Sequence, residues 1–282
     1  MNSSEQLKAL IRNKSKTLNL NANIILRSII FEFFLEKLSL SNYSDRFIIK
    51  GGFLVSTMTQ INLRSTMDLD ITLKSISLSK SELEIVIKDI ISIPTNESLI
   101  MNLVSIEEIR DTAEYPGFRV SLQVKFDNIT ELMKIDFTIG DILTPNEVNF
   151  NYKTMFENKI LYLKSYNIET LLAEKLETIF SRGILNTRMR DYYDVFILFH
   201  LKDSEIDFNL LKQAFENTSK SRNTYNQISD NIKSVLDSIN NDQNLETMWK
   251  IYQQKYPFAK DIEWDNILNN LTRITNLLVF KI

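Results

Sequence analysis

Asp68 and Asp70 stand one residue apart in STMDLDI, sixteen positions after the second member of a Gly51-Gly52 pair that follows the apolar stretch Phe47 to Ile49. The segment TMDLDITLK alternates, with Met67, Leu69, Ile71 and Leu73 on one side and Asp68, Asp70 and Thr72 on the other, which predicts a half-buried strand. Residues i and i+2 of a strand point the same way with Cα atoms about 6.5–7 Å apart, so two carboxylates there can share one or two divalent ions. A second alternating segment, LMKIDFTIG (132–140), puts Asp136 opposite Met133, Ile135, Phe137 and Ile139, and so offers a third oxygen donor from a neighbouring strand. Such a set suits in-line displacement at phosphorus, where metal ions activate a hydroxyl and stabilise the leaving pyrophosphate oxygen. With only five glycines in 282 residues, a Gly pair between a strand and a helix is a natural place for backbone N–H groups to approach a triphosphate.

Zero cysteines remove disulfides, thiolate zinc sites and thiol nucleophiles, and the single histidine, His200, is expected to pack or cap at the end of a helix. Any metal is therefore held by oxygen, which favours Mg²⁺ or Mn²⁺. At a net charge of -3, nucleic acid binds only through a local basic patch, and Arg182, Arg188 and Arg190 around Gly183 are the candidates for RNA contact. A chain 44% hydrophobic and 24% charged, without an apolar run near 18 residues or a signal-peptide layout at its start, is expected to be cytoplasmic and to bind no membrane.

The first 45 residues read as helical, FLVSTMTQ as one or two helical turns and 81–92 as a helix. Strands are expected at 47–49, 66–74, 118–126 and 132–140, the last two joined by DNIT. From Asn167 onward the pattern is helical, with loop signals near 202–206, 217–223 and 240–244. The chain thus divides into an α/β half, 1–165, and a helical half, 166–282. Trp249, Tyr252, Tyr256 and Trp264 are assigned to the core of the second.

In IETLLAEKLETIF, Lys175 falls within an apolar stripe formed by positions 168, 171, 172, 176 and 179. A lysine facing a core needs an anion. Asp191 and Asp194, on adjoining turns of MRDYYDVFILFH, supply carboxylates, so Lys175 and Asp191 read equally as an ion pair fastening two helices or as part of a phosphate site. Arg64 and Ser65, just ahead of the acidic pair, read as phosphate contacts or as an ordinary turn.

The segments IKGGFLVSTMTQ, LRSTMDLDI and KIDFTIGD, and above all AEKLE, SRG and NTRMRDYYD, resemble the AbiEii/AbiGii toxin family of nucleotidyltransferases, the toxin half of type IV toxin–antitoxin and abortive-infection systems that serve in phage defence. The resemblance spans about residues 46 to 200. It implies an α+β fold, with a mixed-sheet nucleotidyltransferase core, N-terminal helices and a helical C-terminal half contributing Lys175, Asp191 and Asp194 to the cleft. It also implies a Mg²⁺ or Mn²⁺ cofactor on Asp68, Asp70 and Asp136, and an NTP at Gly51, Gly52, Arg64, Ser65 and Lys175. Asp68, Asp70, Lys175 and Asp191 are the implied catalytic residues. The implied acceptor is a hydroxyl at the 3′ end of tRNA, and a cognate antitoxin encoded nearby neutralises the activity without needing stable contact. Gly52 stands where many members of the wider polymerase-β-like superfamily have serine. Two other readings stay open, an enzyme that modifies a protein hydroxyl and a binding protein regulated by nucleotide.

Overall fold

Alternation around Asp70 and Asp136 places both residues on central strands of one mixed sheet. The computed structural model describes residues 4–18, 20–59, 68–74, 79–95, 99–109, 117–155 and 158–278. These form two units, one of residues 1–140 with 147–165 and one of residues 141–146 with 166–282.

The first unit holds strands β1 (Phe47–Lys50), β2 (Leu69–Leu73), β3 (Leu99–Ile109), β4 (Gly117–Phe126), β5 (Ile129–Ile139), β6 (Val148–Lys153) and β7 (Ile160–Ser165). Their spatial order is β3-β4-β5-β2-β1-β7-β6. β2 pairs parallel to β5 and β1 parallel to β7, while the other neighbours are antiparallel. Phe47, Ile49, Leu69, Ile71, Ile135 and Phe137 are wholly buried. Phe47 meets Phe137 edge-on at 5.5 Å between ring centroids. Helices α1 (Ser4–Leu18), α2 (Ala22–Ser39), α3 (Gly51–Thr59) and α4 (Lys80–Ser92) complete the unit. α2 is apolar nearly all round and accordingly buried. Its buried Glu32 accepts hydrogen bonds from Tyr152 Oη at 2.7 Å and from the Met155 amide at 2.6 Å. α4 starts at a reciprocal capping box between Ser79 and Glu82.

Three strands were not anticipated. β3 and β7 alternate in burial, but their outward positions include the exposed apolar residues Ile100, Val104, Ile160 and Tyr162, which hides a period of two in the sequence, and the short β6 buries only Tyr152. β5 begins at Ile129, which shrinks the DNIT connection to a turn at Asp127 and Asn128, with Asp127 at φ 51°. The helical turns after the glycines extend to nine residues.

The second unit consists of α5 (Ile168–Arg182), α6 (Met189–Lys202), α7 (Phe208–Ser221), α8 (Tyr225–Asn240), α9 (Gln243–Lys255) and α10 (Trp264–Leu278). Asn167 caps α5 by accepting from the Thr170 amide at 2.9 Å, and α5 ends at Gly183, whose φ is 55°. The segment 141–146 is tied in through Thr144, whose carbonyl accepts from Asn167 Nδ2 at 2.8 Å and whose Oγ1 accepts from Asn217 Nδ2 at 3.0 Å. The expected loop at 217–223 is largely helix, because Thr218 and Ser219 are buried and Ser219 Oγ donates to the Phe215 carbonyl at 2.7 Å. His200 is exposed and lies flat on Phe196, contrary to a packed role. Trp249 and Trp264 are core, whereas Tyr252 and Tyr256 are only half-buried. Among the described residues no single helix is long and apolar enough to cross a membrane.

Because Phe137 is buried on the reverse of the strand that carries Asp136, Phe137→Ala should lower unfolding free energy by about 3–5 kcal/mol. Urea denaturation followed by far-UV circular dichroism checks this, and a loss below about 1 kcal/mol would contradict the anchoring role of that face.

Candidate active site

Register aligns charged side chains in one row across five strands. Lys50 on β1 pairs with Asp70 on β2, Asp70 with Asp136 on β5, Asp136 with Arg119 on β4, and Arg119 with Glu107 on β3. Paired residues share a face of the sheet, so two carboxylates stand side by side with a cation on each flank. At roughly the 5 Å strand spacing and an effective dielectric near 20, two like charges repel by about 3 kcal/mol. The flanking cations oppose that repulsion. Thr72 and Thr138 form the next row and are buried, with their Oγ1 atoms 2.8 Å apart.

Gly51 explains the first half of the sequence signature. Its φ is 67°, and a Cβ built on it would lie 2.1 Å from Asp70 Oδ2. Only a residue without a side chain lets the start of α3 come this close to the Asp70 carboxylate. The backbone of the Gly pair and the acidic strand are therefore one construction, and the first amides of α3 belong to the turn whose N–H groups lack partners within the helix.

Asp136 is not free to act as a third metal ligand in this arrangement. Arg119 donates from Nε to Oδ1 at 2.8 Å and from Nη2 to Oδ2 at 2.7 Å, engaging both oxygens. These bonds hold the guanidinium proton above the usual arginine range, with Asp68 and Glu107 adding to the pull of Asp136. Among the described residues, no three carboxylate or histidine side chains are gathered as a metal cage. The third carboxylate expected from the sequence is thus engaged by Arg119 in this arrangement. Asp68 and Asp70, partly buried and two residues apart, carry hard oxygen donors of the kind that suit a divalent ion.

A second cluster lies within the helical unit. Lys175 Nζ is 2.6 Å from Asp194 Oδ2 and 3.4 Å from Asp191 Oδ1, and Arg188 Nε is 3.6 Å from Asp191 Oδ2. The Asp194 side chain is 0% exposed, which makes it the closer and more deeply buried partner where the sequence pattern pointed to Asp191. Spacing on α6 offered both, and only the helix packing selects between them. Around the start of α6, Asn186 Nδ2, Asp191 Oδ2 and Tyr192 Oη are buried without hydrogen-bond partners. Burial pushes the Tyr192 phenol well up, and the neighbouring charges of Asp191 and Asp242 add to it. Buried polar side-chain atoms without a hydrogen bond are uncommon in folded proteins.

Of the other expected residues, Gly52 is buried in the first turn of α3, while Arg182, Arg188 and Arg190 are exposed around the end of α5 and the start of α6. Arg64 and Ser65 lie outside the described residues, as does Met67. Sequence reasoning missed Arg119, Lys50 and Glu107. Their only sequence signal is a charge on the polar side of an alternating strand, which becomes specific once register is known.

Asp70 on β2, with Asp68 just ahead of that strand, thus lies against the Gly51-Gly52 helix start and beside the Asp136 strand. A family model described as nucleotidyl transferase AbiEii toxin, type IV toxin–antitoxin system, matches residues 34–270, and the chain belongs to that family. It is accordingly a toxin nucleotidyltransferase, an enzyme class that takes an NTP and pairs with a cognate antitoxin. Two solved Helicobacter pylori structures are also similar. One, a candidate nucleotidyltransferase, is 17% identical at a TM-score of 0.47, with 92% of this chain and 96% of that chain covered. The other, JHP933, is 19% identical at a TM-score of 0.49, with 92% and 94% covered. No curated protein matches the chain.

Two outcomes are expected. Gly51→Ala forces a left-handed backbone on a residue with a side chain and displaces Asp70, so stability should fall by at least about 2 kcal/mol; adding Asp70→Ala should recover part of it in a double-mutant cycle. Additive effects of the two substitutions would rule out the contact. Lys175→Met strands the buried Asp194 charge and should cost about 3–5 kcal/mol, with partial recovery in Lys175→Met/Asp194→Leu. Equal stability of wild type and Lys175→Met in thermal melts would contradict the buried pairing.

Proposed function

We propose that the chain transfers a nucleotide from an NTP to a hydroxyl at the 3′ end of tRNA, arresting translation and growth until its antitoxin acts. The observation that carries this reading is the contact of Gly51 with the Asp70 carboxylate inside a row that also holds Asp136, in a chain of the AbiEii family. In the reaction the acceptor oxygen attacks the α-phosphorus, the bond from that phosphorus to the α,β-bridging oxygen breaks, and pyrophosphate departs carrying that oxygen. The hydroxyl proton goes to a carboxylate, for which Asp136 and Asp191 are the candidates.

Each residue has a distinct task. The backbone of Gly51 and Gly52 receives phosphate oxygens at the positive end of α3, and Arg64 and Ser65 add contacts from the preceding segment. Asp68 and Asp70 hold a divalent ion, Mg²⁺ or Mn²⁺, which when bound neutralises triphosphate charge and favours in-line displacement. Lys175 is assigned a phosphate contact by the family resemblance, and Asp194 is a positioning residue that holds its ammonium group. Arg119 keeps Asp136 neutralised in the absence of metal, because the bidentate pair satisfies both oxygens. Cytoplasmic phage defence fits this chemistry, since its substrates are there.

Incubation with each labelled NTP, Mg²⁺ and total tRNA should label tRNA with wild type and leave it unlabelled with Asp70→Asn. Label on protein alone would replace the RNA acceptor by a protein one, and no label on either from natively folded enzyme would overturn the transferase reading. In a separate measurement, Arg119→Met should bind Mn²⁺ more tightly than wild type in nucleotide-free calorimetry, since the competing cation is gone. Weaker or unchanged binding would remove Asp136 from the metal site.

A further inference from the structure

We propose that a groove on the helical unit, formed by the start of α6 and the second half of α9, holds single-stranded RNA. The strand held there would be part of the acceptor, so the proposal deepens the RNA-acceptor reading and rests on it. The groove has a volume of about 450 Å³ and is open to solvent. Arg188 and Arg190 line one side, and Ile251, Tyr252, Lys255 and Tyr256 the other.

Charge is the first argument. The groove lining contains three cations and no carboxylate, in a protein whose net charge is -3. A local concentration of positive charge on an otherwise acidic protein selects a polyanion, and phosphates are its commonest form. The floor is the second argument. Tyr252 and Tyr256 are half-buried with ring centroids 4.6 Å apart, each backed by a further ring, Trp249 or Phe258, and Ile251 is 58% exposed. Aromatic and aliphatic surface between cations suits an unstacked base with its phosphate on the rim; a duplex keeps its bases stacked inside and would use the cations alone. Lys255 Nζ stands 5.4 Å from the centroid of Tyr256, so ring and cation are presented together. Position is the third argument. Arg188 both lines the groove and approaches Asp191, whose other oxygen faces Lys175, so a strand lying there is led to the cluster assigned above to phosphate handling.

The test uses the full chain and a fluorescein-labelled single strand of about twelve nucleotides, near the size such sites accept. Anisotropy is read across about 50–200 mM NaCl for wild type and for Arg190→Gln/Lys255→Gln, with NTP binding by calorimetry and circular dichroism as controls for the fold. The double variant should bind RNA about tenfold more weakly at about 100 mM salt, and its slope of log affinity against log salt should be shallower by roughly 1.4, the loss of two phosphate contacts. Tyr256→Leu should weaken single-strand binding while leaving the salt slope unchanged. Wild-type affinity in the double variant would place RNA elsewhere and overturn the groove, as would absence of RNA binding by wild type. A duplex of the same length binding equally well, or polyglutamate displacing the strand equally well, would overturn the single-strand assignment. The transferase reading is scored apart from this, by label on tRNA in the gel experiment, so RNA binding without transfer would sink that reading and leave the groove standing.

Discussion

Two carboxylates on adjacent strands must be held side by side without driving the strands apart, and most of the first unit answers that demand. Asp70 and Asp136 face each other in register on parallel strands. Parallel strands are fixed by their hydrogen bonds and by what lies beneath them, so the repulsion is met from two directions. Beneath the row, wholly buried residues such as Ile71 and Phe137 lock the strands to the core. Along the row, Lys50 and Arg119 bracket the acidic pair, and the bidentate Arg119–Asp136 bond takes up one of the two charges. Gly51 adds the steric half of the solution, because no bulkier residue could bring a helix start against Asp70.

Charge is handled differently in the helical unit. Lys175, Asp191 and Asp194 are almost excluded from solvent, so their pairing has to offset the loss of hydration of all three. A buried ion cluster is weak support for stability, yet removal of one member is severe, since the remaining charges are left uncompensated. Loss of activity on substituting Lys175 would therefore mix any direct part it takes in the reaction with a disturbed helix packing. Asp68 and Asp70 are only partly buried and offer a cleaner test of chemistry.

These two clusters differ in how open they are to a ligand. The sheet row includes partly exposed groups that can exchange partners, and the Arg119 clamp is of that kind, with its side chain 34% exposed. The helical cluster combines tight internal pairing with buried polar atoms that make no hydrogen bond, at Asn186, Asp191 and Tyr192. Within the helical unit, exposed Arg188 joins this buried group to a basic groove on the surface. A toxin nucleotidyltransferase has to combine both properties, because a triphosphate must be neutralised and an acceptor must be guided.

The alternating segments around Asp70 and Asp136, the scarcity of glycine and the lysine inside an apolar helical stripe are local properties, and the sequence by itself determined them along with the α+β class and the family. Local pattern suffices there because strand and helix periods are short-range consequences of backbone geometry. The neighbours of each charge were decided only in the tertiary structure. Arg119 meets Asp136 through strand register, Asp194 rather than Asp191 comes nearest Lys175 through helix packing, and Tyr252 and Tyr256 stay at a surface groove although their composition suggested a core. Residues far apart in the chain carry no periodic trace of whom they will touch, since pairing depends on how whole elements align; for the same reason edge strands β3 and β6 left little sign of themselves in the sequence.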